Sequence, residues 1–510
     1  MSMKTLSISF FIFLLSFWIL PAQNLDLIHS ITQENISGNS RYEAMSGAFG
    51  ALGGNLSSIH INPAASAVYN TSEFGLSVST LTTENKTTYF GSSTPTQNKN
   101  GGMNQIGGVF VFKNDNTETA WKKIAFGFNA QMQSSYHNNI QINGTNTESG
   151  LDNYFLDYAA EKDGGELGLS DFESVRDVYQ FFGESSSHGF GYQQAFLGYQ
   201  AYIFDYLPDE SLFVSNAIYS SVQHNHSIQT SGENWSMAFT FSGQYNDWLY
   251  LGANINASNV EYRQITSTKE TGYLPESFLN ETYFQNELYI YGGGVSLQFG
   301  AIAMPNKNVR LGVSYKTPTW YELNDEFSQY LETKSTDSDG NSYNDVIDLT
   351  DVINVYESYT IKTPSEFRGS LAYIFGKRGI LSFDYSLKDY QNSHIGPNDN
   401  NVFIALNNQI DQSWRSVSTY RVGGEYRLGG ISLRAGYHLE ESPYNDKKLL
   451  GDRSGTSYGI GFNFKSSVVN LSILNSSQSR SHQLYDTGLT DRTDNDINFK
   501  HFTVSWNFKF

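Results

Sequence analysis

The feature that most limits the fold is an alternation of apolar and polar residues that runs from about Phe74 to the C-terminus. In the final run, Phe502, Val504, Trp506 and Phe508 alternate with polar neighbours, and the chain ends at Phe510. Similar runs lie at residues 124–132, 309–315, 367–375, 420–428 and 431–437. Successive side chains of a strand point to opposite faces, so a period of two predicts strands with one apolar face. The chain is therefore expected to be all-β.

Strand length and loop length favour a transmembrane antiparallel β-barrel over a secreted sandwich. The predicted strands are about 9 to 12 residues long, which suits tilted strands that cross a bilayer, whereas soluble strands average about 5 to 6 residues. Short turns alternate with long polar loops, as in outer-membrane barrels. The short turns are residues 244–248, 376–379, 429–430 and 465–467. The long loops are residues 91–104, 141–189, 267–282, 327–356, 391–414 and 478–496.

The pattern count gives up to roughly 16 strands. Two of the runs, residues 195–206 and 212–230, are irregular, and they are either an extra hairpin or a segment folded into the lumen. The apolar face also changes parity at Gly292, Gly293 and Gly294. An odd offset across three glycines predicts a bulge or a strand kink there.

Composition excludes several classes of protein and of site. Charged residues make up 16% of the chain, against roughly 25% in ordinary globular proteins. The net charge is -19 and no basic run is present, which argues against a nucleic-acid partner. The absence of cysteine excludes disulfides and thiolate metal sites. The sequence contains no zinc-protease motif and no phosphate loop, and we expect neither an enzyme nor a cofactor.

The N-terminal region divides into two parts. Residues 1–22 have the pattern of a signal peptide, because Lys4 precedes the apolar run from Leu6 to Leu20 and small residues follow it. Residues 23–70 are rich in small residues and precede the barrel, residues 71–510. Asn62 before Pro63 predicts the cap and first turn of a short helix through Val68.

Residues 41–55, RYEAMSGAFGALGGN, and residues 61–65, INPAA, resemble the N-terminal hatch of the FadL/TodX family. This family consists of outer-membrane transporters for long-chain fatty acids and other hydrophobic compounds. Residues 315–320, 363–368 and 420–437 are similar to its strands, so the resemblance covers essentially the whole mature chain. Residues 141–232 are longer than the family pattern. The hatch motif comprises Gly47, Gly53, Gly54, Asn62, Pro63 and Ala64.

The resemblance implies a monomeric barrel of 14 strands in the outer membrane of a Gram-negative cell, plugged by the hatch. Such a barrel takes up a hydrophobic or amphipathic molecule passively and releases it sideways through an opening at an inward strand kink. Gly292 to Gly294 are the candidates for that kink. The sequence does not name the ligand, since fatty acids, haem, aromatic hydrocarbons and quinone-like lipids all suit such a site.

Alternation places several arginines on the lumen side. A guanidinium can bind a ligand carboxylate through two parallel hydrogen bonds, which makes these arginines candidates for substrate binding. The alternative is that they pair with luminal carboxylates such as Glu425 and Asp384 and fill the barrel. The candidates are Arg310, Arg368, Arg421 and Arg434, with Arg427 nearby.

Three further segments carry weaker signals. His224 and His226 share one strand face and are either a metal pair or polar wall residues. Residues 337–348 are an acidic loop that either binds calcium or is only solvated. Residues 151–160 and 171–182 have helical spacing and predict a short helical lid outside the barrel.

The aromatic C-terminus resembles the signal read by the barrel assembly machinery, which makes Phe510 the predicted contact with it. The main alternative to transport is an adhesin, receptor or structural barrel that acts through its extracellular loops. An open general porin is disfavoured by the hatch.

Overall fold

The computed structural model describes residues 25–116, 118–185 and 187–510, and its strands account for most of the alternating runs. Their bounds are β1 Glu73–Tyr89, β2 Ser92–Lys113, β3 Trp121–Ser135, β4 Asn138–Asn146, β5 Phe204–Leu207, β6 Leu212–Ser215, β7 Val222–Tyr245, β8 Leu249–Thr271, β9 Leu279–Ala303, β10 Val309–Lys316, β11 Trp320–Thr336, β12 Ser342–Val355, β13 Tyr359–Lys362, β14 Glu366–Phe375, β15 Gly379–Asp389, β16 His394–Gly396, β17 Ser416–Leu428, β18 Ile431–Glu440, β19 Arg453–Asn463, β20 Ser467–Gln483 and β21 Arg492–Lys509. The predicted signal peptide, residues 1–22, lies outside the described residues.

All strands except β5 and β6 form one antiparallel sheet that closes on itself through the pairing of β1 with β21. Four wall strands are interrupted, and these are β3–β4, β10–β11, β12–β14 and β15–β16. Counting each as one strand gives a closed barrel of 14 strands, as the family resemblance predicted. The higher count from the pattern was wrong. Residues 195–206 contain the end of a helix and most of the detached strand β5, and residues 212–230 contain the detached strand β6 and the beginning of β7.

A belt of exposed apolar side chains surrounds the half of the barrel that carries the short turns. Apolar side chains that remain exposed on a closed sheet are explained by contact with lipid. The belt includes Phe126, Phe239, Phe299, Leu311, Phe367, Leu381, Leu433 and Phe502. The opposite half carries the long loops and extends beyond this belt.

The parity change at Gly292 to Gly294 has a different cause from the one predicted. The ladders of β9 with β8 and β11 run through these glycines without a register shift, so the strand has no bulge there. Below them Val295, Leu297 and Phe299 are exposed on the outer face. Above them Leu288 and Ile290 are buried on the inner face. The strand continues unchanged while its apolar environment moves from the lipid outside to a core inside.

Two predicted loops are strands for a related reason. Residues 92–104 continue β2, and residues 327–336 and 342–355 form most of a hairpin of β11 and β12. Beyond the lipid belt the outer face of the wall meets water, so many residues on both faces are polar. The alternation that marks a strand within the bilayer is then lost.

The helices lie in the lumen and above the wall. They are α1 Leu25–Thr32, α2 Ser40–Glu43, α3 Leu151–Ala159, α4 Val175–Glu184, α5 Gly189–Gln200 and α6 Asn401–Ser413, with 3-10 turns at Ser57–His60, Pro63–Val68, Gly164–Leu167 and Tyr390–Asn392. No helix in the described residues is long and apolar enough to cross a membrane.

Helices α3, α4 and α5 form a lid over one side of the barrel, and α3 and α4 match the predicted helical segments. Ser174 begins α4 because its side chain accepts a hydrogen bond from the Asp177 amide. Phe155 of α3 packs edge-on against Phe284 of β9, with ring centroids 5.1 Å apart. An apolar cluster therefore attaches the lid to the wall.

Candidate functional site

Residues 36–70, which we call the plug, are almost entirely buried inside the barrel at the level of the lipid belt. Asn62 holds the plug in two ways. Its side-chain oxygen accepts a hydrogen bond from the Ala64 amide at 3.1 Å and so caps the turn that begins at Pro63. Its amide nitrogen donates to the carbonyls of Gly50, Ala301 and Val313 at 2.8, 3.1 and 3.3 Å. One side chain thus joins the plug to two neighbouring wall strands.

Glycines on both surfaces allow this close contact. Gly47, Gly53 and Gly54 have φ of 72°, 62° and 63°, a conformation that glycine adopts without strain. On the wall, a Cβ at Gly300 would lie 2.0 Å from the Asn62 side-chain oxygen, and one at Gly312 would lie 2.3 Å from the Gly50 carbonyl oxygen. Nothing in the sequence marks Gly300 and Gly312 as contacts of the plug, because a glycine inside a strand does not reveal what lies against it.

The candidate arginines are mostly engaged by the protein itself. Arg310 donates to the Leu52 carbonyl of the plug. Arg434 pairs with Glu425 at 2.7 Å, and the same carboxylate pairs with Arg41 of the plug at 2.8 Å. Arg427 also pairs with Glu425, at 2.7 Å. The contacts of Arg310 and Arg41 join the plug to the wall, whereas Arg434 and Arg427 pair with a carboxylate of the wall itself, as in the predicted alternative.

Arg368 and Arg421 line a small polar cavity between the plug and the wall. Arg368 pairs with Glu366 and lies 3.7 Å from Asp384, whereas Arg421 donates to the Tyr42 hydroxyl at 3.3 Å. The cavity measures about 30 Å³, which accommodates one or two water molecules and no alkyl chain. A role of these two arginines in substrate binding therefore requires a rearrangement and stays a prediction.

Glu34, in the segment that leads into the plug, is held by two lysines beside the small polar cavity. Glu34 pairs with Lys316 and lies 3.3 Å from Lys388. Burial raises the pKa of this carboxyl, but the two lysines outweigh burial and hold the pKa well below its usual range. Glu34 is therefore ionised at neutral pH.

Helix α1 lies above the plug and fills an apolar part of the lumen. Its Leu25, Ile28 and Ile31 are buried in a cluster with side chains of the upper wall and of α6. The ring centroid of His29 lies 5.6 to 6.5 Å from those of Tyr390, Trp414 and Tyr444. Burial, together with the charge of Arg480, lowers the pKa of His29 to about 3, so its ring is neutral at neutral pH.

A cavity of about 700 Å³, which we call the outer cavity, lies between α1, α6 and the upper wall. This volume is in the range of pockets that bind small molecules. Its apolar lining comes from Leu25, Leu288, Phe327, Val402, Ile404, Ala405, Leu406, Leu449 and Leu484. Its polar lining includes Asp26, Gln264, Asn286, His482, Gln483, Asp486 and Arg492. Both kinds of surface are thus available to one amphipathic ligand.

The wall is interrupted beside β3. β2 pairs with β3 only from Gln105 to Lys113, and in the described part of the chain residues 92–104 form a ladder with β1 alone. β3 has a register shift between Met132 and Ser134, ends at Ser135 and resumes as β4 at Asn138.

β4 lies on the inner side of the barrel rather than in line with the wall. The Gln141 carbonyl accepts a hydrogen bond from the inward-facing Thr87 of β1 at 2.6 Å, and the Asn139 carbonyl accepts one from Thr96 at 2.7 Å. The stretch between residues 97–104 and 132–138 is therefore left without a ladder, and we call it the side opening. The ladder of the wall is thus interrupted beside β3, whereas the ladders at Gly292 to Gly294 are continuous.

The N-terminal segment contacts the bent strand at the side opening. The Asn35 amide donates to the Gln133 carbonyl at 2.9 Å, and the Tyr136 hydroxyl donates to the Ile31 carbonyl at 2.6 Å. Residues 31–35 therefore lie between the outer cavity, the plug and the side opening. One sign of this break is visible in the sequence, where the alternation of β3 stops at Met132 and three polar residues follow.

Two solved structures share this architecture. A FadL homologue from Pseudomonas aeruginosa aligns with a TM-score of 0.53 and 14% identity over 94% of this chain and 99% of that chain. The toluene transporter TodX from Pseudomonas putida aligns with a TM-score of 0.51 and 14% identity over 94% and 99%. The chain has the FadL-type transporter fold. No protein-family model and no curated protein sequence matches it.

The remaining candidate residues do not line the outer cavity or the side opening. The ring nitrogens of His224 contact Glu270 at 2.5 Å and the Tyr89 hydroxyl at 3.0 Å, and His226 contacts Thr268 at 2.8 Å. The Asp337 carboxylate accepts hydrogen bonds from its own loop, including one from the Asn341 amide at 2.8 Å. No group of three metal-ligating side chains occurs among the described residues.

Replacing Asn62 with alanine should loosen the plug. The variant loses the cap of the turn and three hydrogen bonds to carbonyls, and we expect a loss of about 2 kcal/mol in plug stability. Hydrogen exchange measured by mass spectrometry should show faster exchange at residues 63–68. Asn70→Ala is the control, because Asn70 is exposed and its side chain lies 3.5 Å from the Lys123 amine. Equal exchange in the two variants would contradict the assigned role of Asn62.

Proposed function

We propose that this protein takes up hydrophobic or amphipathic small molecules, such as long-chain fatty acids, passively across the outer membrane. The observation that carries the proposal is the outer cavity, which lies above a buried plug in a FadL-type barrel. A ligand enters this cavity from the loop side, passes the N-terminal segment and leaves through the side opening into the bilayer. The proposal contains no catalytic step and no cofactor.

Sideways release is supported by the geometry and by the hydrophobic effect. A direct path through the barrel meets the plug, whose contacts are dense and polar. The side opening begins beside Met103 and Val78, whose side chains are exposed on the outer face. Each methylene that moves directly from the cavity into lipid avoids a cost of about 0.8 kcal/mol for exposure to water.

The same proposal includes the cellular setting predicted from the sequence. A signal peptide directs export, and the barrel assembly machinery recognises the C-terminal strand. Phe510 directly follows this strand, and its ring is exposed, 6.3 Å from the ring of Phe110. We propose that the barrel acts as a monomer.

The test is a pair of tryptophan substitutions on α6. Ala405 lines the outer cavity, so the ring of Ala405→Trp should obstruct part of it and reduce ligand binding and cellular uptake by about tenfold. Gln412→Trp is the matched control, because Gln412 is exposed on the same helix and is not part of the cavity lining. Native mass spectrometry of the purified protein should detect a copurified hydrophobic molecule in the control and not in Ala405→Trp.

Two results would reject the proposal. The first is uptake that is equal in Ala405→Trp and Gln412→Trp at equal protein levels. The second is a wild-type barrel that contains no ligand and supports no uptake, which would favour a role in adhesion through the extracellular loops.

A further inference from the structure

We infer that Arg492 recognises the headgroup in the outer cavity and gives this cavity a preference for amphiphiles with an anionic head, such as a carboxylate. The inference rests on the proposed function and specifies its ligand class. Arg492 is the first residue of β21, is exposed and lines the cavity.

The partners of Arg492 leave its charge uncompensated. Its Nε donates to the Ser481 hydroxyl at 3.2 Å, and its Nη1 donates to the Gln483 side-chain oxygen at 3.0 Å. Both acceptors are neutral. Among the described residues no carboxylate lies within 4.0 Å of this guanidinium, so it can form a charge-assisted pair with a ligand.

Five other cations of the lumen are already paired with carboxylates, and Arg310, Arg421 and Arg453, which have no such partner in the part of the chain that the structure describes, do not line the outer cavity. Lys316 and Lys388 contact Glu34, and Arg434 contacts Glu425. Arg368 contacts Glu366, and Arg480 lies 3.5 Å from Asp26. A ligand carboxylate would have to displace an internal carboxylate from each of them.

The two carboxyl groups that line the outer cavity are also engaged. Asp26 accepts a hydrogen bond from the Tyr444 hydroxyl at 2.5 Å, in addition to its contact with Arg480. Asp486 accepts one from the Tyr158 hydroxyl at 2.6 Å. Neither group cancels the charge of Arg492, and the apolar lining remains available for an alkyl chain.

The experiment compares two probes of equal chain length, hexadecanoate and 1-hexadecanol, on the full-length protein in lipid nanodiscs at pH 8. Competition against radiolabelled hexadecanoate gives both dissociation constants. Because Arg492 is exposed and screened by water, we expect the wild type to prefer hexadecanoate by about fivefold. Arg492→Gln should remove this preference and leave the affinity for 1-hexadecanol unchanged, and Arg492→Lys should keep part of it.

Lys500→Gln is the matched control, because it removes a positive charge from the same strand. Lys500 is exposed and pairs with Glu84 at 2.7 Å, away from the cavity lining. The inference is overturned if Arg492→Gln keeps the preference or if Lys500→Gln loses it. Equal wild-type affinities for the two probes also overturn it, while leaving the proposed function intact. Failure of the wild type to bind either probe would count against the proposed function itself.

Discussion

Replacing Gly102 with tryptophan should reduce uptake of a hydrophobic ligand by about tenfold or more, because a large ring would occupy the only route proposed for release. Gly102 lies in the part of β2 that pairs with β1 alone, opposite the inward-facing Ser79. A Cβ at Gly102 meets no other atom within 4 Å, so the barrel can accept the substitution without a clash at its own backbone. Uptake of a radiolabelled ligand by intact cells is the measurement.

Gly369→Trp is the control for this substitution. Gly369 lies in β14 opposite Val313, whose side chain is exposed in the lipid belt, and a Cβ at Gly369 also meets no atom within 4 Å. The control adds the same ring to the outer surface and should keep normal uptake. Ligand should still bind to Gly102→Trp in detergent, since the outer cavity is unchanged. Normal uptake by Gly102→Trp would contradict release through the side opening.

Deleting residues 36–68 should turn a nearly closed barrel into an ion-conducting pore. These residues fill the lumen at the level of the lipid belt, and the wall around them needs none of their backbone for its ladders. Single-channel recording in planar bilayers should show a conductance at least about tenfold above that of the wild type. If the deletion variant does not assemble, Gly312→Leu provides the same test, because its side chain would push against the Gly50 carbonyl. An unchanged conductance in an assembled variant would show that residues 36–68 do not close the lumen.

A disulfide between the plug and the wall would distinguish release through the plug from release through the side opening. The hydroxyl oxygens of Ser46 and Ser457 lie 2.8 Å apart, and the chain has no other cysteine to interfere with the variant Ser46→Cys/Ser457→Cys. Under oxidising conditions this variant should remain closed to ions and should keep normal ligand uptake. Loss of uptake that is restored by a reducing agent would show that the ligand passes through the plug.

The sequence predicted the class of the fold because its alternation depends on local geometry alone. Within the lipid belt, one face of each strand meets hydrocarbon and the other meets polar plug or wall groups, so runs such as residues 420–428 and 431–437 stand out. Asn62 and Pro63 predicted the turn Pro63–Val68 for the same reason, since a cap and a first-turn proline act over a few residues. The number 14 came from the family resemblance and not from the pattern.

The predictions failed where one face of a strand passes from lipid to another environment along the strand. The alternation of β9 reports which side of the strand is apolar, and it does not report whether lipid or a protein core lies there. At Gly292 to Gly294 the apolar side moves inward, and a sequence pattern cannot distinguish this from a bulge. The pattern predicts a loop at residues 91–104, because both faces of this part of β2 are largely polar. Residues 92–104 are nevertheless part of the strand.

The residue pattern alone predicts that the chain forms a barrel, that a small-residue segment precedes the barrel and that arginines point into its lumen. It took the tertiary structure to show that Glu425 and Arg310 hold the plug, that Arg492 has no carboxylate within 4.0 Å among the described residues and that the wall is interrupted beside β3. These features depend on pairs of groups that are far apart in sequence, such as Arg41 with Glu425 or Asn62 with Val313. Such pairs form only after the sheet has closed, because closure fixes which inward side chains share one level of the lumen.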